Sequence, residues 1–151
     1  MILNDLLAKQ NVFTKVVIKD GSKELSKELK VKVMRIRMAY NKARKDLDSE
    51  LQQFMSELIT SEFTDLRENT NRTPEEETRF LEMANMLDSE YKEFLKQKGL
   101  EEVSFIDDTF TLEEYSDILD VNSGNDVEIN GVKIDAISFM EIFFELFVKE
   151  D

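Results

Sequence analysis

The sequence predicts a mainly α-helical fold with a minor β component. Three observations lead to this prediction. The 151 residues include only one proline and four glycines, apolar residues recur at helical spacing over most of the chain, and one short segment at 127–134 has the pattern of a β-hairpin instead. The length and the 41% content of hydrophobic residues are typical of one domain with a buried core, so we expect a single domain over residues 1–151.

The first 22 residues are expected to form an N-terminal arm. Residues 2–8 are apolar enough for one or two helical turns. Residues 12–18 are rich in β-branched and aromatic side chains, which favours a strand. The segment Lys19-Asp20-Gly21-Ser22 then reads as a turn. The expected order in the arm is therefore helix, strand and turn.

Residues 23–99 are predicted to form a long antiparallel helical hairpin. From about Lys23 to Leu66 there is no glycine or proline, and apolar residues step by three and four. A helix of that length is far above the average, so the segment is either broken or coiled-coil-like. A second helix begins at Thr73-Pro74-Glu75-Glu76, which combines an N-cap, an N1 proline and a capping box, and it ends at Gly99. The short connection between the helices predicts their antiparallel packing.

Residues 100–151 are predicted to complete the domain as a C-terminal cap. A second capping box at 111–114 begins a short helix that runs to about Leu119. Asn130-Gly131 supplies the positive φ angles of a type I′ turn, which sets Ile129 opposite Val132 in a small β-hairpin. The last helix, from about 135 to 148, is apolar on nearly all sides. It is either the central helix of the domain or a subunit interface.

The composition excludes several classes of chemistry. The chain has no cysteine and no histidine, which removes thiolate chemistry, zinc–cysteine sites and the usual general base near neutral pH. A segment that resembles a calcium loop, 120–131, has glycine at its fifth position and Gly131 where a bidentate glutamate is needed. The acidic pairs 107–108 and 113–114 are interpreted as helix caps and surface charges, not as magnesium ligands. We therefore predict no enzyme activity, no metal and no cofactor.

The net charge of −13 is unevenly distributed. Residues 23–45 hold nine lysines and arginines against two glutamates, whereas residues 46–151 hold 29 acidic residues against 8 basic ones. The basic segment is interpreted either as a salt-bridged face between neighbouring helices or as a docking surface for an acidic molecule or another copy of the chain. Direct nucleic-acid binding is not expected, because the acidic remainder would repel a polyanion. The candidate contact residues are Lys30, Arg37, Arg44, Phe139, Phe143 and Phe147.

The chain shows no basic leader and no apolar run of about 18 residues, so we expect a cytoplasmic protein without membrane contact. The main functional hypothesis is a non-enzymatic protein–protein interaction or assembly protein. The alternative is an acidic inhibitor that mimics nucleic acid and occupies a host nucleic-acid-binding or defence protein.

The order of these features resembles that of small helical accessory proteins encoded by tailed bacteriophages. The shared order is a leucine-rich first turn, a long charged helix, a helical hairpin, a short capped helix at 111–119, an Asn-Gly hairpin at 127–134 and an apolar terminal helix. The resemblance covers most of the chain and rests on this order, with no diagnostic motif. It implies a virion component, an assembly factor or a small host-takeover protein, and it carries over no functional residues.

Overall fold

The computed structural model describes residues 1–149, and over these residues the chain is mainly α-helical with two short β-hairpins. The fold class predicted from the sequence is confirmed. The helices are α1 (Leu3–Phe13), α2 (Lys27–Leu58), α3 (Ser61–Glu68), α4 (Pro74–Gly99), α5 (Leu112–Asn122) and α6 (Ala136–Phe147). The strands are β1 (Lys19–Asp20), β2 (Lys23–Glu24), β3 (Val127–Ile129) and β4 (Val132–Ile134).

The N-terminal arm differs from its prediction. Helix α1 extends to Phe13, so the strand expected at 12–18 is wrong. Val12 and Phe13 are buried residues of α1 itself, so core packing outweighs their β propensity. The turn at Gly21, where φ is +62°, lies between the two-residue strands β1 and β2.

The long segment 23–66 is two helices and not one. Helix α2 begins at Lys27 and ends at Leu58, and α3 starts two residues after Ile59. Thr60 has an extended backbone, and its hydroxyl oxygen accepts a hydrogen bond from the backbone N–H of Phe63 at 3.2 Å. This N-cap supplies a partner for an otherwise unsatisfied amide and so defines where the second helix begins.

Both predicted capping boxes are confirmed. The Thr73 hydroxyl accepts from the backbone N–H of Glu76, and the Glu76 carboxylate accepts from the N–H of Thr73, each at 3.1 Å. Thr111 and Glu114 repeat the arrangement at 3.1 and 3.0 Å. The short helix runs to Asn122, a little beyond its predicted end.

The predicted β-hairpin is also confirmed, with β3 antiparallel to β4. Glu128 lies opposite Lys133, and Ile129 lies opposite Val132. Asn130 and Gly131 have φ angles of +52° and +80°, the left-handed values that a type I′ turn requires and that asparagine and glycine tolerate best.

The chain divides into two compact units. The first unit comprises Met1–Ala43 and Glu102–Asp151, and the second comprises Arg44–Glu101. Helix α2 contributes residues to both. The sequence analysis treats the chain as one domain with an arm, a hairpin and a cap; in the structure the arm, the start of α2 and the cap fold together.

The core of the first unit is built around the ring of Phe13. Its centroid lies 5.5 Å from that of Tyr40, 6.2 Å from Phe143 and 5.2 Å from Phe147. Helix α6 supplies several of the buried side chains, so it is the central helix of this unit. The buried residues of α6 are Ala136, Phe139, Met140, Phe143 and Phe147.

Two polar side chains lie inside this core with their partners. Asp108 accepts a hydrogen bond from the Tyr40 hydroxyl and lies 2.9 Å from the ammonium of Lys9. Asn122 joins α5 to the chain after α1: its Oδ1 accepts from the N–H of Val17 at 2.8 Å, and its Nδ2 donates to the Val17 carbonyl at 3.0 Å. Because both groups are satisfied, neither pays the full cost of an unpaired buried polar atom.

The second unit has a smaller core between α3, α4 and the end of α2. Its buried members are Phe63, Leu66, Met83 and Leu87, and Phe80 packs against them. The rings of Phe63 and Phe80 stack at 5.4 Å. The expected packing of α4 against the preceding helical segment is therefore present within this unit.

The Asp108 contact generates a first prediction. Replacement of Asp108 by alanine leaves the Lys9 charge and the Tyr40 hydroxyl without their partner, so we expect the free energy of unfolding to fall by about 3 kcal/mol. Asp48→Ala is the matched control, because Asp48 is exposed and its ion pair with Arg44 is long, at 3.9 Å. This substitution should lower the free energy of unfolding by less than about 0.5 kcal/mol. Urea denaturation measures both, and equal losses would contradict this account of the core.

Tyr40 generates a second prediction, on pH. Burial, and then the hydrogen bond and charge of Asp108, raise the pKa of Tyr40 well above its usual value. Above about pH 10 the unfolded chain releases the proton of the Tyr40 hydroxyl, whereas the folded chain keeps it. The contribution of Tyr40 to the free energy of unfolding is therefore complete below about pH 10. As the pH rises further, the free energy of unfolding falls by up to about 1.4 kcal/mol per pH unit. Tyr40→Phe should reduce this slope but not abolish it, because burial and the charge of Glu141 also raise the pKa of Tyr115. Tyr91→Phe, at an exposed tyrosine, should keep the full slope. Identical slopes in both variants, in denaturation between pH 9 and 11, would exclude Tyr40 as the source.

Candidate interaction surface

The first part of α2 has two opposite faces. Leu29, Val33, Ile36 and Tyr40 follow each other at intervals of four, three and four residues and are buried in the first unit. This spacing places them on one side of the helix. Whatever lies half a turn away must then point out of the core.

The outward face of α2 exposes three large apolar side chains. Val31 is 56% exposed, Met34 47% and Met38 69%. They are spaced by three and four residues, so they form one stripe opposite the buried one. Single exposed apolar residues are normal on a protein surface, but a stripe of three on one helix face is a feature of interaction sites.

Cations surround this stripe. Lys27, Arg35 and Lys42 are exposed on the same side of the helix. Neither Lys27 nor Arg35 makes an ion pair through its side chain within residues 1–149. An open depression of about 530 Å³ lies beside the stripe and is lined by Lys27, Glu28, Val31, Lys32 and Arg35. We call these six residues the outward face of α2: Lys27, Val31, Met34, Arg35, Met38 and Lys42.

The three basic residues named from the sequence lie on a neighbouring side of α2. The ammonium of Lys30 pairs with Glu24, and a guanidinium nitrogen of Arg37 donates to the Val16 carbonyl. Arg44 is exposed, lies 3.9 Å from Asp48 and belongs to the second unit. Lys30 and Arg37 thus contact β2 and the segment after α1 within the first unit, and neither contact is a salt bridge between neighbouring helices.

The three phenylalanines named from the sequence lie in the core. Phe139, Phe143 and Phe147 are at most 1% exposed, so they have no surface to present to a partner while the first unit is folded. Their expected contact role is corrected by this burial, since their neighbours are rings of the same unit.

Sequence reasoning missed the residues that the structure exposes. The buried residues Leu29, Val33, Ile36 and Tyr40 follow the three-and-four spacing of segment 23–66, and Val31, Met34 and Met38 fall outside that period. The sequence alone shows that these three residues lie on the side of the helix opposite the buried residues. Residues on that side must face solvent or a partner.

The acidic pairs at 107–108 and 113–114 take part in intramolecular contacts. Asp107 accepts from the Thr109 N–H at 3.0 Å, Asp108 pairs with Lys9, and Glu114 pairs with Lys32 at 2.9 Å. Within residues 1–149 no group of three or more acidic side chains is arranged to hold a metal ion. These carboxylates organise the fold of the first unit.

The chain matched nothing in comparisons with protein families, curated proteins and solved structures. Over the described residues, no helix combines the length and the apolar character needed to cross a membrane. Function must therefore be argued from the surface itself.

The two faces of α2 generate a third prediction. Met38→Gln keeps the helix propensity and removes only an exposed apolar group, so unfolding free energy should change by less than about 0.5 kcal/mol. Ile36→Ala, on the buried face, should cost about 2–5 kcal/mol. Chemical denaturation of the two variants checks this, and a comparable loss for Met38→Gln would mean that the outward face belongs to the core.

Proposed function

We propose that this protein is a non-enzymatic interaction or assembly protein and that the outward face of α2 is its binding surface. The single observation behind the proposal is the stripe Val31, Met34 and Met38, which lies in solvent opposite the core. Helix α2 does not need apolar residues at these positions in order to fold, because the opposite side already packs into the first unit.

Energetics favour a covered state of this face. Burying a side chain of this size is worth up to about 1.5–3 kcal/mol, and the folded chain leaves three such side chains largely in water. A protein partner that covered them would recover part of this free energy. The surrounding cations would add selectivity for an acidic partner and would speed the encounter.

The resemblance to phage accessory proteins agrees with this class of function. Such proteins would act as virion or assembly components, through helical packing and charge-complementary docking. In that setting the host cytoplasm or the virion is where the outward face of α2 would meet its partner.

Mimicry of nucleic acid, the alternative function, has less support. The exposed acidic residues Glu75, Glu82 and Glu90 of α4 are seven and eight residues apart, which is about 10–12 Å along a helix. Successive phosphates on one strand of DNA are ~3.4 Å apart when measured along the axis of the duplex. The line of carboxylates is thus much sparser than the charge it would imitate.

Photo-cross-linking tests the proposed function. A photoreactive amino acid at position 38 should give a discrete cross-linked product in the cells from which the gene comes, because Met38 is the most exposed residue of the stripe. The control is the same amino acid at Ser116, an exposed position on α5 of the same unit. Adduct mass shows whether the partner is a second copy or another protein.

A product from position 38 that is no stronger than the product from position 116 would contradict the proposed function. The variant Val31→Gln/Met34→Gln, with the cross-linker kept at position 38, completes the design. It should weaken the product if the stripe is the contact, and it should leave the product unchanged if position 38 only reports proximity.

A further inference from the structure

Helix α4 carries an acidic line on its outward side. Glu75, Glu82, Met86 and Glu90 are exposed and spaced by seven, four and four residues, whereas Met83 and Leu87 are buried in the second unit. The three glutamates make no side-chain ion pair or hydrogen bond within residues 1–149. Arg79 is exposed on the same side of the helix, between Glu75 and Glu82, where it pairs with Glu62 at 3.0 Å. Met86, at 49% exposure, is the apolar centre of this line. We call Glu75, Glu82, Met86 and Glu90 the outward line of α4.

The outward line of α4 is the charge complement of the outward face of α2. Along α2 the three cations are spaced by eight and then seven residues, at Lys27, Arg35 and Lys42. Along α4, counted from its C-terminal end, the three glutamates have the same spacing, at Glu90, Glu82 and Glu75. Antiparallel alignment of the helices therefore sets Lys27 against Glu90, Arg35 against Glu82 and Lys42 against Glu75. The same register sets Val31 against Met86.

A parallel alignment does not give this match. With Lys27 set against Glu75, Lys42 would meet Glu90, but Glu82 would meet Met34 and Arg35 would meet the buried Met83. The antiparallel register thus forms three opposite-charge pairs and the parallel register two, which favours the antiparallel one, although it sets Met38 against Arg79. Intervals of seven and eight residues return to the same side of a helix after two turns, so all four pairs can form along one contact.

We propose that the outward face of α2 binds the outward line of α4 of a second copy of this chain, in the antiparallel register described above. This proposal rests on the proposed interaction function and names its partner. The contact joins two different surfaces, and each copy has both of them. Association can therefore close into a symmetric assembly or continue from copy to copy.

Other occupants fit the outward face of α2 less well. Two copies of this face, set antiparallel, would place Lys27 against Lys42 of the other copy, which is repulsive. Nucleic acid or an anionic bilayer is wider than a helix and would also meet the rest of the first unit, where residues 102–151 hold 14 acidic and 2 basic side chains. The outward line of α4 sets its three carboxylates opposite the three cations.

Charge reversal on full-length protein tests this proposal. Sedimentation velocity over a range of concentrations measures self-association of the wild type and of two variants, Lys27→Glu/Arg35→Glu and Glu82→Lys/Glu90→Lys. Each variant alone presents two surfaces of like charge, so its apparent dissociation constant should be at least about tenfold weaker than that of the wild type. An equimolar mixture of the two should associate again, because each reversed surface meets its complement on the other variant.

Matched controls make the same charge changes away from the two surfaces. Lys15→Glu/Lys133→Glu and Glu57→Lys/Glu68→Lys alter exposed residues and should associate like the wild type. Circular dichroism verifies that every variant is folded. Wild-type association should also weaken when salt is raised from about 0.01 M, where the Debye length is ~30 Å, to about 1 M, where it is ~3 Å.

Three outcomes would overturn the proposal: a wild type that stays monomeric at low salt, reversed variants that associate like the controls, or a mixture that does not recover. The cross-linker at position 38 separates these failures from a failure of the interaction function. An adduct with a different protein would leave that function standing while it removes the second copy as the partner. Absence of both adduct and association would reject both proposals.

Discussion

Burial of one side of α2 in the first unit is the constraint on which the rest of the structure depends. Val33, Ile36 and Tyr40 are fully enclosed there, and the ring of Tyr40 contacts those of Phe13 and Phe105 at 5.5 and 4.4 Å. Close packing of this kind leaves no rotational freedom about the helix axis. The direction of every other side chain on α2 follows from that fixed rotation. The exposure of Val31, Met34 and Met38 is thus a consequence of how the core is packed.

Polar contacts of α2 also fix its rotation about the helix axis. Lys30 and Lys32 lie on either side of the buried stripe and pair with Glu24 and Glu114, while Arg37 reaches the Val16 carbonyl. These contacts are individually modest, since partly exposed ion pairs contribute little to stability. Their geometric effect is larger, because a slip of α2 would break them together. The basic segment of the sequence therefore has two populations of cations: some hold α2 in place, and others, such as Lys27 and Arg35, face solvent without an ion pair in the described structure.

The sequence predicted the elements whose cause is local. The capping boxes at Thr73 and Thr111 and the Asn130-Gly131 turn depend on residues three or fewer positions apart, and all three are confirmed. The segment 12–18 was wrong because its outcome depends on tertiary packing, in which Phe13 becomes the centre of an aromatic core. The break after Leu58 rests on Thr60, whose capping role competes with a helical pattern that continues across it. For the candidate surface, composition indicated a basic segment but could not sort its cations into those that pair inside the fold and those that do not.

Charge is distributed unevenly within the first unit, where residues 1–43 hold 10 basic and 4 acidic side chains and residues 102–151 hold 2 basic and 14 acidic ones. Residues 44–101 hold 15 acidic and 8 basic side chains, whereas the outward face of α2 has lysine and arginine around its apolar stripe. A chain that only needed solubility could obtain it from acidic residues everywhere. Keeping cations beside exposed methionines favours contact with an acidic surface and disfavours contact between two identical faces, which is how charge specifies a partner instead of merely strengthening its binding. The location of the charges relative to the apolar residues is therefore the property that an account of this protein's function must explain.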